Sequence, residues 1–231
     1  MLRSLDIVFL DIGGVLYDDG VYADAWKRAL RAAGASFTDP EFDAEYTAAR
    51  QQQSRSFRAR LAERFLGADP DLARLERLAA RWWDYPPDAL YADVLPCLES
   101  LTGTYRLGVI ANQLTSVRDA LRRDGLLPFF EVWAISADLG MQKPDPELFV
   151  HALATADVEP GRAVMVGDRL DYDIRPAAAA GMRTVWVLRG EAPDRPTPEQ
   201  LMEPDASITD LTQLPASLEA FVGVPRRGIP T

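Results

Sequence analysis

Asp11 closes the apolar run Ile7-Val8-Phe9-Leu10 and is followed by Ile12-Gly13-Gly14. A carboxylate there can serve as a nucleophile or a metal ligand, and the two glycines let the backbone approach whatever it holds. A second acidic set lies in Gly167-Asp168-Arg169-Leu170-Asp171-Tyr172-Asp173, three carboxylates in a loop that opens a helix. Brought near Asp11, these groups repel one another unless a cation sits between them. Mg2+ suits such a site, being hard, oxygen-liganded and commonly shared between carboxylates, waters and a substrate phosphate. The competing use is helix N-capping, and either Asp171 or Asp173 is expected to do only that. In Gly140-Met141-Gln142-Lys143-Pro144-Asp145-Pro146-Glu147, two prolines bracket Asp145 and start a helix, fixing where Lys143 enters the loop. A lysine held there can neutralise both a phosphate and the Asp11 carboxylate.

The elements that must position these residues follow from hydrophobic patterning. Short apolar runs at 7–10, 105–111, 132–135, 163–166 and 183–188 predict strands, with a further short one at 206–208. Helical patterns at 94–101, 116–123, 147–156, 174–180 and 211–221 alternate with them, which predicts a parallel sheet with right-handed crossovers. Asp11 then follows the first strand, Asn112 the second and Gly167-Asp168 the fourth. Polar groups therefore collect at the carboxyl edge, where open α/β sheets bind ligands. The stretch from 21 to 92 reads differently: helical spacing recurs at Val21, Tyr22, Ala25, Trp26, Ala29 and Leu30, then at about 39–53, 55–66 and 71–83, before Pro86-Pro87 closes the block. An α/β core of residues 1–18 and 90–231 with an all-helical insert of 19–89 is expected, and Gly223 to Thr231 read as a loose terminus.

Composition removes several classes of function. Across 231 residues the hydrophobic fraction is 48% and the charged fraction 26%, ordinary for a globular chain with one well-filled core and an insert. A net charge of −10 opposes binding to nucleic acid or an anionic membrane, and no apolar run approaches the roughly 20 residues of a membrane span. Asp6 and Asp11 interrupt the apolar segment near the start, so no signal peptide is expected. Cys97 is the single cysteine, fits a reducing cytoplasm and reads as a buried structural thiol. His151 is the single histidine, which leaves a histidine triad or a multi-histidine zinc site without support.

Taken in order, Asp11 to Leu16, Leu107 to Asn112, Lys143-Pro144 and Gly167-Asp168 to Asp173 resemble the four motifs of the haloacid dehalogenase-like hydrolase superfamily. The similarity spans residues 5 to about 190, and the helical insert resembles that family's C1-type cap. The resemblance implies an α/β fold, a Rossmann-like parallel sheet core with an inserted all-helical cap domain. It further implies Mg2+-dependent hydrolysis of a small phosphorylated metabolite through an aspartyl-phosphate. In that scheme Asp11 attacks phosphorus, while Mg2+ is bound by Asp11, the Gly13 carbonyl and Asp168. Lys143 completes the charge balance, and Asp173, with Asp171 as the alternative, orients the metal's waters. Gly13, Gly14, Ala111 and Asn112 would border the phosphoryl group. The metabolite is the expected partner, for a cytoplasmic monomer or homodimer that binds neither nucleic acid nor membrane.

Two positions depart from the family pattern. The second residue after the nucleophile is usually an Asp that protonates the leaving group, and here it is Gly13. Loss of such a group costs about 10²–10⁴ in rate, unless the leaving group is already good or another acid substitutes. Asp18 and Asp19 are the candidates for that substitution, against their plainer reading as solvated acids at a hinge. Ala111 stands where the family usually places Ser or Thr, so a side-chain donor to phosphate is gone. These changes keep two other readings in competition: a metal-free dehalogenase, and a non-catalytic module that binds a phosphometabolite or a protein. From the insert, Arg50, Arg55, Arg58, Arg60, Trp82, Trp83 and Tyr85 are candidates to line the pocket, most of them more simply core aromatics and surface charges.

Overall fold

A computed structural model describes residues 5–54 and 57–223; Arg55 and the tail from 224 to 231 lie outside the described residues. The strands β1 (Ile7–Leu10), β2 (Arg106–Ala111), β3 (Val132–Ile135), β4 (Ala163–Gly167), β5 (Arg183–Val187) and β6 (Ala206–Ile208) form one parallel sheet in the order β3-β2-β1-β4-β5-β6. Between β1 and β2 come α1 (Gly20–Ala32), α2 (Asp39–Gln52), α3 (Phe57–Leu66), α4 (Leu72–Ala79) and α5 (Val94–Leu101). The later helices are α6 (Val117–Arg123), α7 (Ser136–Leu139), α8 (Pro146–Ala156), α9 (Arg175–Ala179), α10 (Pro198–Leu201) and α11 (Leu214–Phe221).

Every residue of β1, β4 and β5 is buried, as parallel strands covered on both faces require. Alternation along β1 still sorts its side chains. Ile7 and Phe9 pack with Leu148, Phe149 and Ala177 of α8 and α9 on one face. Val8 and Leu10 pack with Leu98, Leu121 and Leu218 of α5, α6 and α11 on the other. The first four helices hold a separate cluster built on Trp26, Leu30, Phe42, Leu61 and Leu75. Thr38 and Glu41 start α2 with a reciprocal capping box, each side chain taking up the other's backbone N–H. The chain leaves the sheet through residues 11–19 and returns through 84–93, and the two segments pair: Asp18 N donates to Ala89 O at 2.8 Å and Tyr91 N to Leu16 O at 3.1 Å.

Each predicted strand and each longer helix is present. Three differences bear on the site. The helix expected over 71–83 ends at Ala79, because the chain turns there and lets Trp83 pack on Tyr22 with ring centroids 4.6 Å apart. The helix expected from Ile174 is preceded by a π-helical turn, Leu170–Ile174. The four-residue helices α7 and α10 are too short to show a repeat in the sequence. Among the described residues, no helix is long and apolar enough to cross a membrane.

Candidate active site

The strand order reverses direction between β1 and β4, and the crevice beyond their carboxyl ends is where a sheet of this order takes its ligand. Asp11 continues the β1–β4 pairing, its N–H donating to Val166 O at 2.9 Å. Asp168 follows β4 by one residue and is fixed at both ends: Trp186 Nε1 donates to its carbonyl at 2.8 Å, and Glu191 N donates to Oδ2 at 2.6 Å. The π-helical turn then settles which later acid faces inward. Asp173 Oδ1 accepts from Lys143 Nζ at 2.6 Å, and its Oδ2 from Arg169 N at 3.0 Å. Asp171 turns instead to the Arg169 guanidinium, at 2.8 and 3.0 Å, and so stands outside the acidic cluster. Carboxylate oxygens of Asp11, Asp168 and Asp173 all lie within 4.8 Å of one another.

Lys143 reaches this cluster from the loop before α8 with 2% of its side chain exposed, its Nζ 2.8 Å from Asp11 Oδ1. Asn112 holds the loop in place: its Oδ1 accepts from Lys143 N at 2.7 Å and its Nδ2 donates to Lys143 O at 2.9 Å. That carboxamide is therefore engaged with backbone, although Asn112 still borders the cavity. Burial raises the Asp11 carboxyl to about 6, against the opposing pull of Lys143. For Lys143 burial disfavours the charge, and Asp11 with Asp173 outweighs it, holding the ammonium above its ordinary value. Burial pushes Asp168 well up as well, helped by Asp19, Asp173 and Asp11.

The glycines serve close approach. Gly14 has φ +68°, and a Cβ there would lie 2.1 Å from Asp168 Oδ2. Gly190, at φ +61°, lies so near Gly14 that its own Cβ would be 2.3 Å from the Gly14 Cα. Gly13 has another constraint: a Cβ on it would lie 2.3 Å from Asp19 Oδ1. Asp19 thus points into the site, and burial together with Glu191 and Asp11 raises its carboxyl well above the ordinary range. Asp18 remains exposed and accepts from Gly20 N at 3.0 Å, as a hinge acid would. Ala111 ends β2 fully buried and offers no side-chain donor.

Of the insert's candidates, Arg58 and Trp83 line the cavity over Asp11. Tyr85 stands behind it, hydrogen-bonded to Gln113 and Asp19. Arg50 is turned away to Ala192 O and Asp194; Arg60 borders a different surface hollow; Trp82 is exposed. The sequence reading passed over Tyr22, Gln113, Arg169, Tyr172 and Glu191, all of which line the cavity. Two carried a signal: Gln113 directly follows Asn112 at a strand end, and Arg169 sits inside the acidic loop. Arg169 bridges Asp171 and Glu191, with 2.8 Å to each. Glu191 also accepts from Tyr46 at 2.8 Å, so α2 and the loop after β5 close the cavity together. Gln53 strengthens that closure, donating to Glu191 O at 2.8 Å while accepting from Leu170 N at 2.9 Å.

Residues 5–181 match the sequence profile of the haloacid dehalogenase-like hydrolases. The chain belongs to that family. Among curated haloacid dehalogenase-like relatives, it is 34% identical to phosphoserine phosphatase of Thermus thermophilus, over 80% of this chain and 73% of that protein. It is 38% identical to glyceraldehyde 3-phosphate phosphatase of Methanopyrus kandleri, over 57% of this chain and 58% of that one. The chain thus spans less than two thirds of the latter. Among solved structures it is similar to a phosphatase of the family from Thermococcus onnurineus, 26% identical with a TM-score of 0.60, covering 93% of this chain and 98% of that one.

Proposed function

We propose that this haloacid dehalogenase-like hydrolase is a Mg2+-dependent phosphatase of a small phosphorylated metabolite, with Asp11 as the nucleophile. One observation carries the reading: Asp11, Asp168 and Asp173 converge within 4.8 Å while Lys143 reaches two of them. Three carboxylates against one ammonium leave two negative charges, and the donors are hard oxygens, which fits a divalent ion of the Mg2+ type. Asp11, the Gly13 carbonyl, Asp168 and Asp173 would hold it, and when bound it supplies neutralisation of the phosphoryl oxygens. This convergence favours phosphoryl chemistry over metal-free halide displacement.

Asp11 attacks phosphorus, the bond to the leaving oxygen breaks, and water then hydrolyses the acyl phosphate on Asp11. Lys143 holds the nucleophilic carboxylate in a single orientation and offsets its charge as the phosphoryl group arrives. Residues 19–89 act as a cap over a core of 1–18 and 90–231, hinged where Tyr17 and Leu90 pair. The cavity beside Asp11 has about 40 Å³ of room, enough for about three waters, so a phosphate ester enters when the cap lifts. A free, buried Cys97 agrees with a reducing cytoplasm. The experiment is phosphate release from a panel of small phosphate esters, with and without Mg2+, using Asp11→Asn as control. Release that needs Mg2+ and vanishes in Asp11→Asn is expected; release that survives this substitution refutes the nucleophile.

A further inference from the structure

We propose that Asp19 is the acid and base of this site, acting from the space that a side chain at Gly13 would occupy. The inference rests on the phosphatase reading and adds the group that moves the proton. A Cβ on Gly13 would lie 2.3 Å from Asp19 Oδ1 and 3.0 Å from its Cγ and Oδ2. Asp19, Gly13 and Asp11 all line the same cavity. The carboxyl that the family usually carries at position 13, and that this chain lacks there, is thus present in space, delivered from six residues further along.

Its hydrogen bonding points the same way. Asp19 is the N-cap of α1, a position where an aspartate ordinarily accepts a backbone N–H of the first turn, yet its side chain makes no capping bond. Among the described residues it forms no ion pair either. Its partner is Tyr85, whose hydroxyl donates to Oδ1 at 3.5 Å and itself accepts from the buried Gln113 at 2.8 Å. Tyr85 is fixed in turn by stacking on Tyr17, centroids 4.7 Å apart. An inward carboxyl without a capping bond or an ion pair, held by a buried Gln–Tyr pair beside a nucleophile, is placed for proton transfer.

The step balances. As the Asp11 Oδ–P bond forms and the bond from phosphorus to the leaving oxygen breaks, the Asp19 carboxyl proton passes to that oxygen and the alcohol departs. Asp19, now a carboxylate, takes a proton from the water that attacks phosphorus. The P–O bond to Asp11 breaks, and inorganic phosphate and the starting enzyme result.

The test compares kcat/KM for p-nitrophenyl phosphate and phenyl phosphate in the full chain with Mg2+. p-Nitrophenolate leaves readily without a proton, whereas phenolate gains much more from one. Asp19→Asn is expected to slow both, and to slow phenyl phosphate about 100-fold more. Asp18→Asn, at an exposed acid, is expected to leave the ratio as in the parent. An equal loss on both esters in Asp19→Asn overturns the proposal and makes Asp19 a structural residue. Asp11→Asn run alongside separates the two ideas. If it stays active the nucleophile assignment falls; if it is silent and the ester ratio does not widen, Asp19 alone falls.

Discussion

Replacing Gly13 by alanine is the sharpest perturbation of this site. Position 13 lies outside the left-handed region, so alanine meets no backbone strain there. Its methyl group would sit 2.3 Å from Asp19 Oδ1, where ordinary contact begins at 3.4 Å, so the carboxyl must retreat by about 1 Å. A misplacement of that size costs about 10²-fold in rate, or about 2.7 kcal/mol of barrier. Stability should change less, because relief of glycine entropy, about 0.4–1 kcal/mol, partly offsets an overpacking cost of about 1–3 kcal/mol. The assay is a double-mutant cycle on phenyl phosphate with Gly13→Ala, Asp19→Ala and the pair. Gly13→Ala acts by displacing Asp19, so the double variant should be no slower than Asp19→Ala alone, a coupling of about 2–3 kcal/mol. Losses that simply multiply would refute the reasoning. The swap Gly13→Asp with Asp19→Gly should exceed Gly13→Asp alone, since a new carboxyl at 13 needs the space that Asp19 fills.

Four further outcomes follow from the same geometry. Lys143→Met leaves the buried Asp11 and Asp173 carboxylates facing each other without their cation, and should lower metal-free stability by about 3–5 kcal/mol, a melting shift of about 10 °C; a shift within about 2 °C would mean the lysine contributes nothing to the fold. Mg2+ at about 100 times its Kd should raise stability by about 2.7 kcal/mol, or about 5–10 °C in Tm, and Asp168→Asn should remove most of that gain in a thermal melt. Gln53→Ala removes the acceptor of the Leu170 N–H, so exchange of that amide should speed by about tenfold or more, and unchanged protection would count against the closure. Burial, helped by Asp93, pushes the Cys97 thiol up to about 12, so at pH 8 only about one part in 10⁴ is thiolate; alkylation should be silent in the native protein, should appear on unfolding, and should speed as pH climbs toward 11.

Much of the scaffold was legible because it obeys local rules. Asp11 and Asp168 sit just past strands whose apolar runs are unmistakable, and Pro144 with Pro146 marks the loop that delivers Lys143. The parallel order of the sheet followed from alternation of helix and strand. What stayed hidden depends on contacts between distant segments. Asp171 and Asp173 look alike in sequence, and only the π-helical turn sends one to Arg169 and the other to Lys143. Asp18 and Asp19 are likewise adjacent and identical; the pairing of segments 11–19 and 84–93 leaves the first exposed and turns the second toward Tyr85. Glu191 is fixed by Tyr46 and Arg169, which are 145 and 22 residues away in the chain.

Charge balance joins these separate findings. Arg169 lies between Asp171 and Glu191, and Arg58, itself paired with Glu76 at 3.8 Å, is the next cation acting on Glu191. On the other side, Lys143 answers one of the three acids Asp11, Asp168 and Asp173, leaving a deficit of two charges that a divalent ion would remove under the proposed reading. Asp19 forms no ion pair among the described residues; burial with Glu191 and Asp11 raises its carboxyl above the ordinary range, against the opposing charge of Arg169, and it acts in turn on Asp168. Under the proposed reading the three acids around Asp11 would hold the metal and the carboxyl beside Gly13 would carry the proton, two roles that fall to different residues lining one small cavity.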